Sequence, residues 1–331
     1  MRLALNYISS CVSFCTTAIF SKQKYDVVFV FGTSPLTICL PAVIIKLKHK
    51  TPIVLWVLDL WPESLTAAGG VNNYLILGIV RKIIEYSYRR SDRILVSCKG
   101  FINKIKPAVK GTQTSVEYFP NWIESEIFSS TSISSRLPKI PVGFNIVFTG
   151  NVGEAQDWRK VVSAAIELKK IRDINWIIVG EGRKRGWLKR TIQVHDLVGN
   201  FHLVGRFPIQ FMSHFYNGAS CLLLTLNNSE TFKLTVPGKL QSYMASGKPV
   251  LAALEGEGAE VVREAQCGVV CQANTSAELV NSVMKIYNMS ELDRNRLGAN
   301  GLAYSERNFS RKELFNRVEE ILVKCVGSHV R

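Results

Sequence analysis

The chain has 331 residues, 47% of them hydrophobic, which is enough to fill two cores and favours two domains over one. Lys and Arg outnumber Asp and Glu by 41 to 26, a net charge of +15 that attracts polyanions: anionic lipid, nucleic acid or phosphorylated substrates. The eight Cys are scattered in no zinc or dithiol spacing, and the five His stand apart from them, which argues against a metal site and for a reducing, cytoplasmic location.

The charge is uneven. Residues 1–116 hold 15 Lys and Arg against 5 Asp and Glu, among them Lys46, Lys48, Lys50, Arg81, Lys82, Arg89 and Arg90. This excess reads either as a face for an anionic partner or as a solvated surface. Nucleic acid is disfavoured, because no basic run is interleaved with aromatics on one element. The apolar stretch 3–20 is too interrupted by Asn6, Ser9, Ser10, Ser13, Thr16 and Thr17 for a membrane span or a good signal peptide. Leu5, Ile8, Val12, Cys15 and Ile19 recur at helical spacing. They predict an amphipathic helix packed on a core, with a membrane-surface helix as the alternative.

Beyond it, apolar runs alternate with helical patterns. Strands are predicted at 27–31, 53–57, 93–97 and 115–118, and helices at 35–48, 73–90 and 100–109. Short connections argue a parallel sheet covered on both faces. Residues 123–141, rich in Ser and holding Pro138 and Pro141, read as a linker. A second series has strands at 145–149, 175–179, 201–204, 221–224, 249–252 and 269–271, and helices at 158–171, 276–287 and 291–299. Ser310-x-x-Glu313 is a capping box that opens a last helix, with Leu314, Val318, Ile321, Leu322 and Cys325 on one face. The chain thus divides into a first domain at 1–122, a linker at 123–141, a second domain at 142–308, and a helix and tail at 309–331 that can cross back to the first domain. Two doubly wound sheets bind ligands beyond the carboxyl ends of their strands, so the natural site is the cleft between them.

Several strand ends carry candidate chemistry. Thr235–Leu251 should run from loop to helix to buried strand, with Pro237 in the first helical turn and Gly247 as the stop. The free N–H groups of such a helix start suit an anion, and Lys239 adds positive charge, a geometry fit for the diphosphate of a nucleotide-activated substrate. Asp59 and Glu63 follow the 53–57 strand, in the company of Trp56, Trp61 and Pro62, whose flat surfaces suit sugar or lipid; the plainer reading is a turn cap and a Lys partner. Gly150-Asn151-Val152-Gly153 allows close approach of backbone to a ligand, and Gly180-Glu181-Gly182 and Gly205-Arg206 repeat the arrangement. Arg206 either bridges to phosphate or pairs with a helix end. Glu260 either accepts the hydroxyls of a ribose or caps its helix.

At these residues the chain resembles the retaining glycosyltransferases of family 4, which have the GT-B fold: two facing doubly wound Rossmann-like domains. Within that family it is most similar to the WbuB-like bacterial surface-polysaccharide enzymes. The segments that carry the resemblance are Asp59-Leu-Trp-Pro-Glu-Ser64, Phe119-Pro-Asn-Trp122, Phe148-Thr-Gly-Asn-Val-Gly153, Val179-Gly-Glu-Gly182, Val204-Gly-Arg206 and 237–250, in family order over nearly the whole chain. The resemblance implies transfer of a sugar from a nucleotide-sugar donor, UDP-linked as the leading choice, with retention and without a bound metal. It implies a donor site of Gly150, Asn151, Gly153, Arg206, Glu230, Thr235, Lys239 and Glu260, with Asp59 and Glu63 catalytic. It implies an undecaprenyl-diphosphate-linked saccharide acceptor in O-antigen, lipopolysaccharide or exopolysaccharide synthesis, and a cytoplasmic enzyme peripheral on the anionic inner face of the inner membrane.

Two departures qualify the resemblance. Family members commonly carry two Glu with seven residues between them, at the positions of Leu234 and Ser242, and Glu230 is the substitute nearest the first. Members also begin with a strand, a Gly-rich loop and further strands ahead of the segment matching 2–20, so the N-terminal domain is expected to be incomplete. Two rival readings follow: an inactive remnant that binds nucleotide at most, and a UDP-sugar 2-epimerase of the same fold.

Overall fold

The computed structural model describes residues 2–67, 73–128, 137–271 and 275–329. The chain separates into two compact units. An N-terminal unit comprises Met1–Pro120 and Lys312–Arg331, and a central unit comprises Asn121–Arg311. The first boundary falls at Pro120, two residues ahead of the sequence estimate. Residues 129–136 of the predicted linker lie outside the described residues; its flanks belong to the central unit, where the Ile123 N–H donates to Phe309 O at 3.1 Å.

In the N-terminal unit, α1 (Arg2–Phe20) leads into β1 (Val28–Gly32), α2 (Cys39–His49) and β2 (Ile53–Val57). Then come α3 (Glu63–Ala67), α4 (Tyr74–Arg90), β3 (Arg93–Val96), α5 (Lys99–Ile105) and β4 (Ser115–Tyr118). The sheet is parallel, in the order β1-β2-β3-β4. Every residue of β2 is buried, as a parallel strand covered on both faces requires. Asn73 caps α4 by accepting from the N–H groups of Leu75 and Ile76.

The faces of α1 differ from the expectation. The helix turns Tyr7, Cys11, Cys15 and Ala18 inward, and it packs on α2. Of the predicted core face only Cys15 is partly covered, while Leu5, Ile8, Val12 and Ile19 are each at least half exposed. The cause is that α1 is apolar on more than one side, so spacing alone does not select which side packs. Among the described residues no helix is long and apolar enough to cross a membrane.

The central unit holds β5 (Phe144–Thr149), α6 (Trp158–Glu167), β6 (Ile174–Val179), α7 (Arg185–Val194), β7 (Phe201–Gly205), α8 (Met212–Asn217) and β8 (Cys221–Thr225). It continues through α9 (Glu230–Lys233), α10 (Lys239–Ala245), β9 (Val250–Ala253), α11 (Glu257–Glu264), β10 (Gly268–Cys271), α12 (Ser276–Tyr287) and α13 (Glu291–Phe309). All its strands are parallel, in the order β10-β9-β8-β5-β6-β7. Ile146 and Phe148 of β5 join one core with α6 and α12; Val147 joins the other with α8, α10 and α11. The last helix, α14 (Arg311–His329), belongs almost wholly to the N-terminal unit. There Leu314, Ile321 and Cys325 are buried, and Arg317 donates to Tyr118 O at 2.7 Å.

Candidate functional site

Strand β5 sits where the strand order of the central sheet turns: the chain runs from it to β6 on one side and returns as β8 on the other. Such a switch point leaves a crevice at the carboxyl ends of the strands. A cavity of about 720 Å³ opens there. Thr149, Gly150 and Asn151 at the end of β5, Val179 to Glu181 at the end of β6, and Arg206 after β7 line it, with Gly238, Lys239 and Ser242 from α10 and its approach.

Lys239 is its chemical centre. The amine lies 3.7 Å from the centre of the Phe148 ring and makes no hydrogen bond or ion pair among the described residues. Lys239 lines the cavity, and the residue as a whole is partly exposed. The amine itself is packed deeply enough that loss of water pushes its pKa down to about 7. A cation held there without a counter-charge is a seat for an anionic ligand. Gly150 must be Gly: its φ is +128°, and a Cβ would stand 2.9 Å from the Lys239 amine. Helix α10 starts at Lys239, so Pro237 precedes the first turn instead of occupying it; its carbonyl accepts from the Leu240 N–H at 2.8 Å.

The floor is held from below. Strand β8 pairs with β5 only at Ile146 and Val147, and Tyr243 of α10 takes over beyond them, its hydroxyl accepting from the Thr149 N–H at 2.8 Å. The Tyr216 hydroxyl lies 3.2 Å from the Thr149 side-chain hydroxyl. Tyr243→Phe should therefore leave a buried N–H unpaired and lower stability by about 1–2 kcal/mol in urea unfolding.

Four of the eight predicted donor residues, Gly150, Asn151, Arg206 and Lys239, line this cavity, and the other four do not. The Gly153 N–H donates to Gln156 Oε1 at 3.0 Å, which closes the turn ahead of α6. Glu230 is exposed and pairs with Lys233 at 3.0 Å. Thr235 donates its hydroxyl to Thr231 O at 2.9 Å. Glu260 pairs with Arg263 on the outer side of α11. Ser242, standing where the resemblance places a Glu, is buried and lines the cavity; Leu234 does not line it. Thr149 and Glu181 line it from segments the sequence singled out, whereas Phe207, Met212, Tyr216 and Glu124 also line it and escaped the sequence reading, because helix and loop residues with no motif supply them.

Asp59 and Glu63 belong to the N-terminal unit, just beyond β2. Asp59 accepts from Ser34 Oγ at 2.9 Å, and Trp61 Nε1 donates to the same Ser34 oxygen at 3.0 Å. Glu63 lies 3.6 Å from Arg81. The aromatic company is not a surface, contrary to the sequence reading. Trp56, Trp61 and Pro62 are all buried, and Trp56 packs edge-on to Phe31 and Phe119 because both faces of β2 are covered.

Residues 143–289 match the family described as "Glycosyl transferases group 1". The chain is 27% identical over 298 residues to the probable glycosyltransferase WbjE of Pseudomonas aeruginosa, spanning 88% of this chain and 72% of that protein. It is 24% identical over 182 residues to the 2-deoxystreptamine N-acetyl-D-glucosaminyltransferase of Niallia circulans, 55% of this chain and 42% of that one. Among solved structures, Anabaena HepE in complex with UDP superposes with a TM-score of 0.72 at 14% identity, over 95% of this chain and 82% of the other. Sucrose-phosphate synthase of Thermosynechococcus elongatus gives 0.66 at 12% identity, over 88% and 72%. The fold is therefore the α/β, two-sheet architecture of GT-B glycosyltransferases, and the central unit carries a glycosyltransferase domain.

Proposed function

We propose that this chain is a retaining glycosyltransferase of family 4, of the WbuB-like kind, which moves a sugar from a UDP-sugar to a lipid-linked saccharide. The observation that carries the reading is the unpaired Lys239 amine in a cavity shared with Gly150, Asn151 and Arg206. The leaving group of such a transfer is a nucleoside diphosphate, on which negative charge grows as the glycosidic bond breaks. Fixed cations and backbone N–H groups aimed at that charge lower the barrier. Lys239 and Arg206 would supply the cations here in place of a metal ion. The solved HepE complexes with UDP and UDP-glucose support uridine as the base. Gly153, Glu230, Thr235 and Glu260 remain part of the proposed donor region only if the loops that carry them rearrange around the ligand.

Asp59 and Glu63 are proposed as the catalytic carboxylates on the acceptor side. An acceptor on undecaprenyl diphosphate at the inner leaflet, in O-antigen or exopolysaccharide synthesis, is supported by the basic first third. Exposed Leu75, Ile76, Ile79 and Tyr86 beside Lys82, Arg89 and Arg90 on α4 make an apolar and basic face suited to an anionic bilayer. Thermal shift with UDP, GDP and dTDP tests the donor half: one nucleotide at 100 times its Kd should add about 2.7 kcal/mol of stability. Transfer from the matching nucleotide-sugar to a lipid-linked acceptor tests the rest. Asp59→Asn should reduce transfer at least tenfold with donor affinity unchanged. Binding without transfer to any acceptor would instead favour a nucleotide-binding remnant, and turnover of a UDP-sugar without acceptor would favour an epimerase.

A further inference from the structure

Besides Lys239, the cavity holds a carboxylate that lies outside the segments carrying the resemblance. Glu124 lines it, exposed to solvent, and among the described residues its carboxylate takes neither a hydrogen bond nor an ion pair. The other lining carboxylate, Glu181, is committed to Arg185, whose Nε lies 3.0 Å away. The position of Glu124 is fixed by its backbone. Its carbonyl accepts from the Ile127 N–H at 3.1 Å, and the turn so closed, Ser125–Ile127, packs against the turn Ile209–Phe211.

That packing orders the cavity. Buried Ile127 joins Phe207, Ile209 and Met212 in an apolar wall. The Tyr216 hydroxyl meets Thr149, the residue before Gly150, and the Lys239 amine stands against Gly150. The cavity therefore holds an apolar wall, a carboxylate and a cation. Base, ribose and diphosphate of a nucleoside diphosphate call for one of each.

We infer that Glu124 accepts the 2′- and 3′-hydroxyls of the ribose of the bound nucleoside diphosphate. The inference rests on the donor reading above. An ionised carboxylate offers two acceptor oxygens and can take one hydrogen bond from each hydroxyl of a vicinal diol. Lys239 and Arg206 only donate, and Thr149, Tyr216 and Ser242 each offer a single hydroxyl. Glu124 thus supplies, from the segment entering the central unit, a carboxylate that α10 lacks because Ser242 occupies its cavity-facing position.

Calorimetric titration of the full chain with UDP and with 2′,3′-dideoxyuridine diphosphate, each against wild type and Glu124→Ala, tests this. Wild type should bind UDP about tenfold or more tightly than the dideoxy nucleotide. In Glu124→Ala the two should bind within about twofold of each other, with affinity for the dideoxy nucleotide unchanged from wild type. Because Glu124 is exposed, the variant should keep the wild-type Tm. Equal UDP affinity in wild type and variant would overturn the assignment. So would an equal loss for both nucleotides, which would mark a general electrostatic effect. A loss seen with UDP-glucose but not with UDP would move Glu124 to the transferred sugar, and also overturn it. Failure of the wild type to bind either nucleotide would overturn the donor reading itself, and this assignment with it, a result distinct from the other three.

Discussion

Lys239→Ala should weaken binding of a UDP-sugar at least thirtyfold, on the basis that truncating one partner of a desolvated charge pair removes roughly 2 kcal/mol or more. Lys239→Met should do the same while keeping a long unbranched side chain beside the Phe148 ring, which separates loss of charge from loss of packing. The pH dependence follows from the pKa near 7 of the free amine. Below that pH the amine is already charged and needs no further proton to meet a diphosphate. Above it, binding must first take up a proton, so affinity should fall by about tenfold per pH unit until the ligand-bound pKa is passed. Calorimetry at pH 8 in buffers of different ionisation enthalpy should show that uptake, and Lys239→Met should abolish it. The same shift acts on stability. The folded amine binds fewer protons than the unfolded one between about pH 7 and its ordinary value of 10.5, so this group favours the folded state as pH rises through that window. A ligand affinity flat from pH 6 to pH 9 would remove Lys239 from the diphosphate.

Gly180→Ala should destabilise the central unit by about 3 kcal/mol, lowering its Tm by roughly 6–12 °C, and should cost the cavity its shape. Gly180 has φ +152° at the end of β6, and a Cβ there would overlap the carbonyl of Gly150, which cannot yield without dragging the β5 loop away from Lys239. Gly186→Ala is the internal control. That residue lies in α7 with open space around its Cβ position, and the change should be neutral or stabilising by up to about 1 kcal/mol. Differential scanning calorimetry of the two variants with and without UDP distinguishes a loop clash from a general dislike of side chains at these positions.

The alternation of strands and helices was legible because parallel strands buried on both faces read as unbroken apolar runs, as in Ile53–Val57 and Ile174–Val179. The ends of those strands were legible too, since Gly150, Gly180 and Gly205 mark where the backbone must turn. The sequence reading ends the helix that starts at Glu291 at residue 299, whereas α13 runs on to Phe309, through Gly298 and Gly301. In the structure they are contact points: a Cβ at Gly298 would overlap the carbonyl of Gly247, and one at Gly301 would stand 3.0 Å from Cys267 Cβ. Half of the candidate donor site was hidden for a different reason. Lys239 and Arg206 announce themselves by charge next to glycine turns. Tyr216, Met212 and Ile127 come from short helices and a turn, with nothing in their neighbours to set them apart. Glu124 fell inside a Ser-rich stretch that composition assigns to a linker.

Because α14 completes the N-terminal unit, the order of synthesis and the order of folding diverge. A ribosome makes residues 1–120 first, yet Arg317, Ile321 and Cys325, which close that unit against Tyr118 and its neighbours, emerge only after all of the central unit. The central unit can condense on its own while the first-made sheet waits, its apolar surfaces uncovered, for the last turns of the chain. A nonsense codon or a protease that removes residues 312–331 would therefore strike the N-terminal unit harder than the central unit that lies next to it in sequence.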